Sequence, residues 1–240
     1  MADEVIIVRH AKSTGNLASD ESRKGNHSLF TRELRSQESW RWPLTPTGIT
    51  HSEETGRQIR QRICQSFDGY FSSPYPRTLQ TAQHLGFTNA VWKQEDLLRE
   101  RNWGGCENLP YPERYAAFAK VGISSIENSV TWRPPHGESM VELLERAEAF
   151  LLFLQQEMPQ GLALAVSHGG PVQAFRVLQH GITRAQYPSF ISGNNYIRNC
   201  HIFHYFEKKS RNAAFPRYRF ERSLYAEVDG NWTESITELN

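Results

Sequence analysis

Val5-Ile6-Ile7-Val8-Arg9-His10-Ala11-Lys12-Ser13-Thr14-Gly15-Asn16 is the stretch that decides the fold. Its first four residues are β-branched and do not alternate with polar ones. Such a run fits a strand buried on both faces, as in a parallel sheet covered by helices. It ends on a guanidinium and an imidazole. The pattern recurs at Leu162–Ser167, a second apolar strand followed by Ser167-His168-Gly169-Gly170. Gly69–Ser72 is a third, closed by Ser73-Pro74, with Arg77 a few residues on. In open parallel sheets ligands bind outside the carboxyl ends of the strands. That rule assigns Arg9, His10, Arg77 and His168 to one sheet edge. Arginines beside glycine-rich turns suit phosphate oxygens.

Strands and helices alternate outward from this stretch. Leu17–Pro43 is polar and weakly periodic, with a short helix expected around Thr31–Trp40. Thr45–Gly48 reads as a turn and Thr50–Cys64 as a helix. Arg77–Leu85 reads as a helix stopped by Gly86. Ala90–Lys93 is a candidate strand, and Arg99–Pro135 is irregular apart from a helix near Pro112–Val121. Val141, Leu144, Ala147, Leu151, Leu154 and Met158 form one apolar stripe of the clearest helix. Pro171–Gln179 returns as helix, and Asn199–Phe206 and Tyr218–Tyr225 as late strands. The alternation implies a three-layer α/β/α sandwich around a mostly parallel sheet. We expect one domain over residues 1–240, with insertions at Leu17–Pro43 and Asn102–Pro135 folded over the crevice.

Composition narrows the function. The chain has 240 residues, 38% apolar and 22% charged, and a net charge of +1. That balance disfavours nucleic acid as a partner. Cys64, Cys106 and Cys200 are too few and too scattered for a disulfide framework or a zinc ribbon. An odd cysteine count suits a reducing compartment. No signal peptide or membrane span is read, so a cytoplasmic location is expected.

Five blocks in order resemble the phosphoglycerate-mutase-like branch of the histidine phosphatase superfamily. Arg9-His10-Ala11-Lys12-Ser13-Thr14-Gly15-Asn16 resembles its R-H-G-x-S-x-x-N signature. Leu44-Thr45-Pro46-Thr47-Gly48 resembles the L-T-x-x-G turn. Ser72–Ala82 is similar to S-S-P-x-x-R-x-x-x-T-A. Leu98–Gly104 resembles the block that carries the acidic residue. Gly137-Glu138-Ser139 followed by Val166–Gly170 completes the set, which spans about residues 5 to 206.

The resemblance implies a fold, a chemistry and roles. His10 would attack phosphorus in line and form a phosphohistidine. For that its other nitrogen should donate to a backbone carbonyl. Arg9, Arg77 and His168 would hold the equatorial oxygens, with Asn16 and the Gly169 amide as neutral donors and Arg101 as a further phosphate ligand. Glu100 would protonate the leaving alkoxide and then activate water; Glu95, Asp96 and Glu107 are its rivals. No metal and no cofactor is expected, and the partner is a small phosphorylated substrate. Ala11 stands where the family has Gly. The F-T-G-W block of true mutases is missing, and His168 is followed by Gly-Gly rather than Gly-Asn. Both departures favour a phosphatase over a phosphoglycerate-type mutase. A phospho-ligand binding module without catalysis is the third reading.

The other chemistry-bearing residues are read as structural. His27, His51, His84, His136 and His180 are taken as hydrogen-bonded surface or core residues. His201 and His204, three apart on a strand, face opposite ways and so make no metal pair. Trp40, Trp42 and Trp103 are read as packing residues, with Trp103 near enough to Glu100 to line the pocket.

Overall fold

In the computed structural model, residues 4–120, 130–158, 160–191, 197–207 and 218–235 are described. Strand β1 (Glu4–Arg9) is followed by α1 (Thr14–Arg23), α2 (Arg32–Ser36), α3 (Pro46–Arg62), β2 (Gly69–Ser72), α4 (Pro76–His84) and β3 (Trp92–Gln94). Then come α5 (Tyr111–Ala119), α6 (Met140–Glu157), β4 (Leu162–Ser167), α7 (Gly169–Gln179) and α8 (Tyr187–Ile191). The chain continues through β5 (Ile202–Glu207), β6 (Tyr218–Ala226) and β7 (Trp232–Ser235).

One seven-stranded sheet runs β3-β2-β4-β1-β5-β6-β7. The β3, β2, β4 and β1 strands are parallel, with Arg9 in register with Ser167. The β5, β6 and β7 strands extend it antiparallel. The α/β class read from the sequence is therefore found, but the sheet is mixed rather than mostly parallel, because the late strands β5, β6 and β7 join antiparallel. Alternate residues of β1 and β4 feed two cores. Val5, Ile7, Ala163 and Ala165 pack under Phe150, Leu151 and Leu154 of α6 and Val172 and Phe175 of α7. Ile6, Val8, Leu164 and Val166 pack under Ile59 of α3 and Ala82 of α4. That is why the apolar runs do not alternate.

Several boundaries shift for local reasons. The α3 helix starts at Pro46, because Thr45 caps Gly48 N and Pro46 is pre-set for the first turn. An unforeseen α1 opens the Leu17–Pro43 segment, where a Ser13–Asn16 capping box nucleates it. The helix expected around Thr31–Trp40 divides into α2 and a 3-10 turn at Ser39–Arg41. The α6 stripe centres on Met140, Leu143, Ala147, Phe150, Leu151 and Leu154, while Val141 and Leu144 are only half-buried. Asn199 and Cys200 form a turn before β5, with Cys200 at φ 59°. The helix near Pro112–Val121 is α5; Val121 and the 121–129 part of the second insertion lie outside the described residues. Among the described residues no helix is long and apolar enough to cross a membrane.

Candidate active site

The carboxyl ends of β1, β2 and β4 bring together the residues that lie far apart in sequence. His10 and His168 are fully buried, with ring centroids 5.0 Å apart. Arg77, in the first turn of α4, stands between them. Its Nε donates to His10 Nε2 at 3.2 Å and to His168 Nδ1 at 3.1 Å. His10 Nδ1 is 2.7 Å from the Ala11 carbonyl oxygen, so it is the protonated nitrogen and Nε2 carries the lone pair. His168 Nε2 faces Ser73 Oγ at 2.8 Å and donates to it.

Both rings are held neutral. Burial, and then the guanidiniums of Arg77 and Arg9, keep His10 well below the ordinary imidazole range. Burial, Arg77, His10 and Arg9 do the same to His168. Among the described residues neither Arg9 nor Arg77 has an ion-pair partner, and the buried Nε of Arg9 has no hydrogen bond. Arg9 Nη1 donates to the Ile197 carbonyl, and Arg77 Nη1 to the Ser39 carbonyl at 2.8 Å. Glu100 supports the charge of Arg77 from a distance, and a buried cation without a direct salt bridge favours an incoming anion.

Glu100 sits in the loop after β3. Its Oε1 accepts the N–H groups of Gly170 at 3.0 Å and Arg101 at 2.8 Å. A Cβ on Gly170 would stand 2.5 Å from that oxygen, so only glycine permits the contact. Among the rivals, Glu95 caps the next turn at Leu97 N. Glu107 also lines the cavity, where it accepts from Ser39 Oγ and the Trp103 N–H. Asn16 Oδ1 accepts Ser13 N and Asn199 Nδ2, which leaves its Nδ2 as the donor. Gly169 lines the cavity at the N-terminus of α7, where the first N–H groups of a helix have no intrahelical acceptor. Arg101 differs from the expectation. Its Nε and Nη2 donate to the Glu138 and Trp132 carbonyls, and its guanidinium stacks on Trp103. It shapes the wall more than it offers free donors.

Arg9, His10, Asn16, Arg77, Glu100 and Gly169 line one cavity of about 360 Å³. Described residues of both insertions line it, and the two segments bind each other. Arg35 of α2 pairs bidentately with Glu113 of α5, Ser22 Oγ accepts Tyr111 N at 2.7 Å, and Asn108 donates to the Gln37 carbonyl. Three contributors were not legible from sequence. Asn199 donates to the His10 carbonyl at 2.9 Å, Thr81 Oγ1 accepts the Ala11 N–H at 3.0 Å, and Ser73 holds His168. Ser73 and Thr81 lie in a quoted block, whereas Asn199 has no local signal. Five of the seven histidines read as structural have side-chain partners away from the cavity: His51 with the Ala226 carbonyl, His84 with Glu53, His27 with Ser22, His201 with Ser223 and His204 with Glu4.

Residues 5–209 match the model of the histidine phosphatase superfamily, branch 1, and the chain belongs to that family. It is 26% identical over 188 residues to a 2,3-bisphosphoglycerate-dependent phosphoglycerate mutase of Bradyrhizobium sp. (strain ORS 278), covering 75% of this chain and 82% of that one. It is 25% identical over 171 residues to the uncharacterized phosphatase PhoE of Bacillus subtilis (strain 168), covering 71% of this chain and 74% of that one. The fold superposes on a mycobacterial glucosyl-3-phosphoglycerate phosphatase with a TM-score of 0.70 at 20% identity, over 91% of this chain and 97% of that one.

Proposed function

We propose that the chain is a metal-independent phosphomonoesterase working through a phosphohistidine on His10. One observation carries the reading. His10 Nε2, with Nδ1 committed to the Ala11 carbonyl, lies beside Arg77 and Arg9, neither of which forms a salt bridge among the described residues.

A phosphomonoester dianion would displace the Arg77–imidazole contacts and take Arg77, Arg9, His168, Asn16 and the Gly169 N–H on its oxygens. The arginines supply the charge neutralisation that a metal supplies elsewhere. His10 Nε2 then forms the P–N bond as the ester P–O bond breaks. The electron pair leaves on the alkoxide, which Glu100 protonates. Water next attacks the phosphohistidine, Glu100 takes its proton, and the P–N electrons return to Nε2. His168 stays neutral: once the phosphate displaces Arg77, the ring's one proton sits on Nδ1 and is donated to a phosphate oxygen, while Nε2 accepts from the Ser73 hydroxyl. The Gly-Gly pair after His168 and the missing mutase block support water as acceptor over a returning sugar or glycerate hydroxyl.

Rapid quench with labelled aryl phosphate should trap an acid-labile, alkali-stable phosphoenzyme in the parent and none in His10→Ala. An acid-stable label, or unchanged turnover in His10→Ala, overturns the mechanism. Conversion of 3-phosphoglycerate to 2-phosphoglycerate with a bisphosphate primer, faster than phosphate release, would make the enzyme a mutase instead.

A further inference from the structure

The cavity is larger than a phosphate group needs. Its volume lies in the range of sites that hold a whole small metabolite. Asn16, Ser19, Asp20 and Arg23 of α1 all line it, at spacings of three and four that form one helix face. Asn16 marks the catalytic end, because Asn199 bridges it to the His10 carbonyl. Seven residues at the helical rise put Arg23 about 10 Å further along the axis.

Arg114 stands at that far end. It lies on α5, one turn beyond Tyr111, whose ring faces the Arg23 guanidinium at 5.8 Å. Its Nε is removed from solvent and has no hydrogen bond, and among the described residues it makes no ion pair. Glu107 favours its charge but is engaged by Ser39 and Trp103. Burial and the like charge of Arg23 both disfavour the cation there. Asp20 is shared between Lys12 and Arg23. Two more residues of the cavity lining carry a buried polar atom without a partner, the donor Trp42 Nε1 and the acceptor Asn108 Oδ1. A hydroxyl both donates and accepts, so a polyol fits such a pair.

We propose that Arg114 forms a second anion subsite, and that the substrate is a sugar phosphate carrying a further phosphate or carboxylate about 10 Å from the transferred group. The proposal rests on the phosphatase reading for which phosphate is cleaved, but not for binding. Trp42 and Asn108 serve the hydroxyls between the two anions. A three-carbon phosphoglycerate is too short to reach both ends.

Calorimetry on the His10→Ala chain tests it without turnover. Glucose 1-phosphate, glucose 1,6-bisphosphate and 6-O-carboxymethyl-glucose 1-phosphate differ only in the group on C6, and the last two extend an anion beyond the O6 atom. At least one C6-anionic ligand should bind about tenfold or more tighter than glucose 1-phosphate, and which one does so identifies the second group as phosphate or carboxylate. Adding Arg114→Gln should remove that advantage while changing glucose 1-phosphate binding less than about twofold, and Arg114→Lys should restore part of it. No advantage for either C6 anion, or equal weakening of all three ligands by Arg114→Gln, overturns the proposal. Failure to turn over any ester with His10 intact would instead sink the phosphatase reading.

Discussion

Glu100 is the residue whose role its immediate contacts bear on most directly. Its Oε1 is fixed by two backbone N–H groups, from Gly170 and Arg101. Oε2 lies toward Gly169 and Arg9, and in our reading it carries the transferred proton. A general acid matters most for a poor leaving group, because its benefit follows Brønsted behaviour. Glu100→Gln keeps the side-chain shape and its acceptor oxygen but cannot deliver a proton. Its kcat on an alkyl phosphate should fall by about 10²-fold or more, and on a nitrophenyl phosphate by clearly less. Equal losses on the two esters would make Glu100 a positioning residue. No loss on either would move the role to Glu107, another carboxylate of the cavity lining.

At the scale of elements, what could be read from the sequence followed how local the signal was. The β1 and β4 strands were legible because each is an apolar run closed by a charged or glycine-rich turn. The site residues at their ends were legible because one sheet edge collects them. The α1 helix escaped because its residues are polar and only its Ser13–Asn16 box marks it. Asn199 and Arg114 escaped because their roles arise from contacts across 189 residues and across the two insertions. The pairing of those insertions was equally hidden, since nothing in Arg35 alone points to Glu113. That pair is about half exposed, so by itself it should contribute only about 0.2–1 kcal/mol. The bond from Asn108 to the Gln37 carbonyl adds to it. Replacing Asn26–Gln37 by a Gly/Ser linker of equal length removes α2 and loosens α5, but leaves Ser39, Trp42 and the catalytic end in place. Hydrogen exchange at Tyr111–Ala119 should therefore accelerate, while aryl phosphate turnover stays within about tenfold of the parent. Unchanged exchange at α5 would show that α1, through Ser22, holds it unaided.

The whole molecule keeps several imidazoles neutral in its interior, and that sets its acid limit. Burial and nearby guanidiniums lower His10 and His168 well below the usual range. Burial and then Arg176 bring His180 to about 4, and burial with Arg176, Arg198 and Arg9 brings His201 to about 3. Unfolded, all four would titrate near 6.5. Above that pH both states hold them neutral and they add no pH dependence. As pH falls below 6.5 the unfolded chain takes up protons that the folded chain refuses, so stability drops until the folded values near 3 to 4 are reached. Each ring contributes up to about 1.4 kcal/mol per pH unit in that window. Unpaired carboxylates of the unfolded chain titrate mostly below pH 5, so the interval from pH 7 to 5 isolates the histidines. The urea midpoint should fall across that interval at constant m-value, and more steeply between 6 and 5 than between 7 and 6. Inorganic phosphate at saturating concentration should reduce the fall only if it binds the pocket around His10 and His168, since His180 and His201 lie outside it. A midpoint that is flat or rises from pH 7 to 5 would mean that the interior rings accept protons in the folded state, and the neutral nucleophile at His10 would have to be abandoned with them.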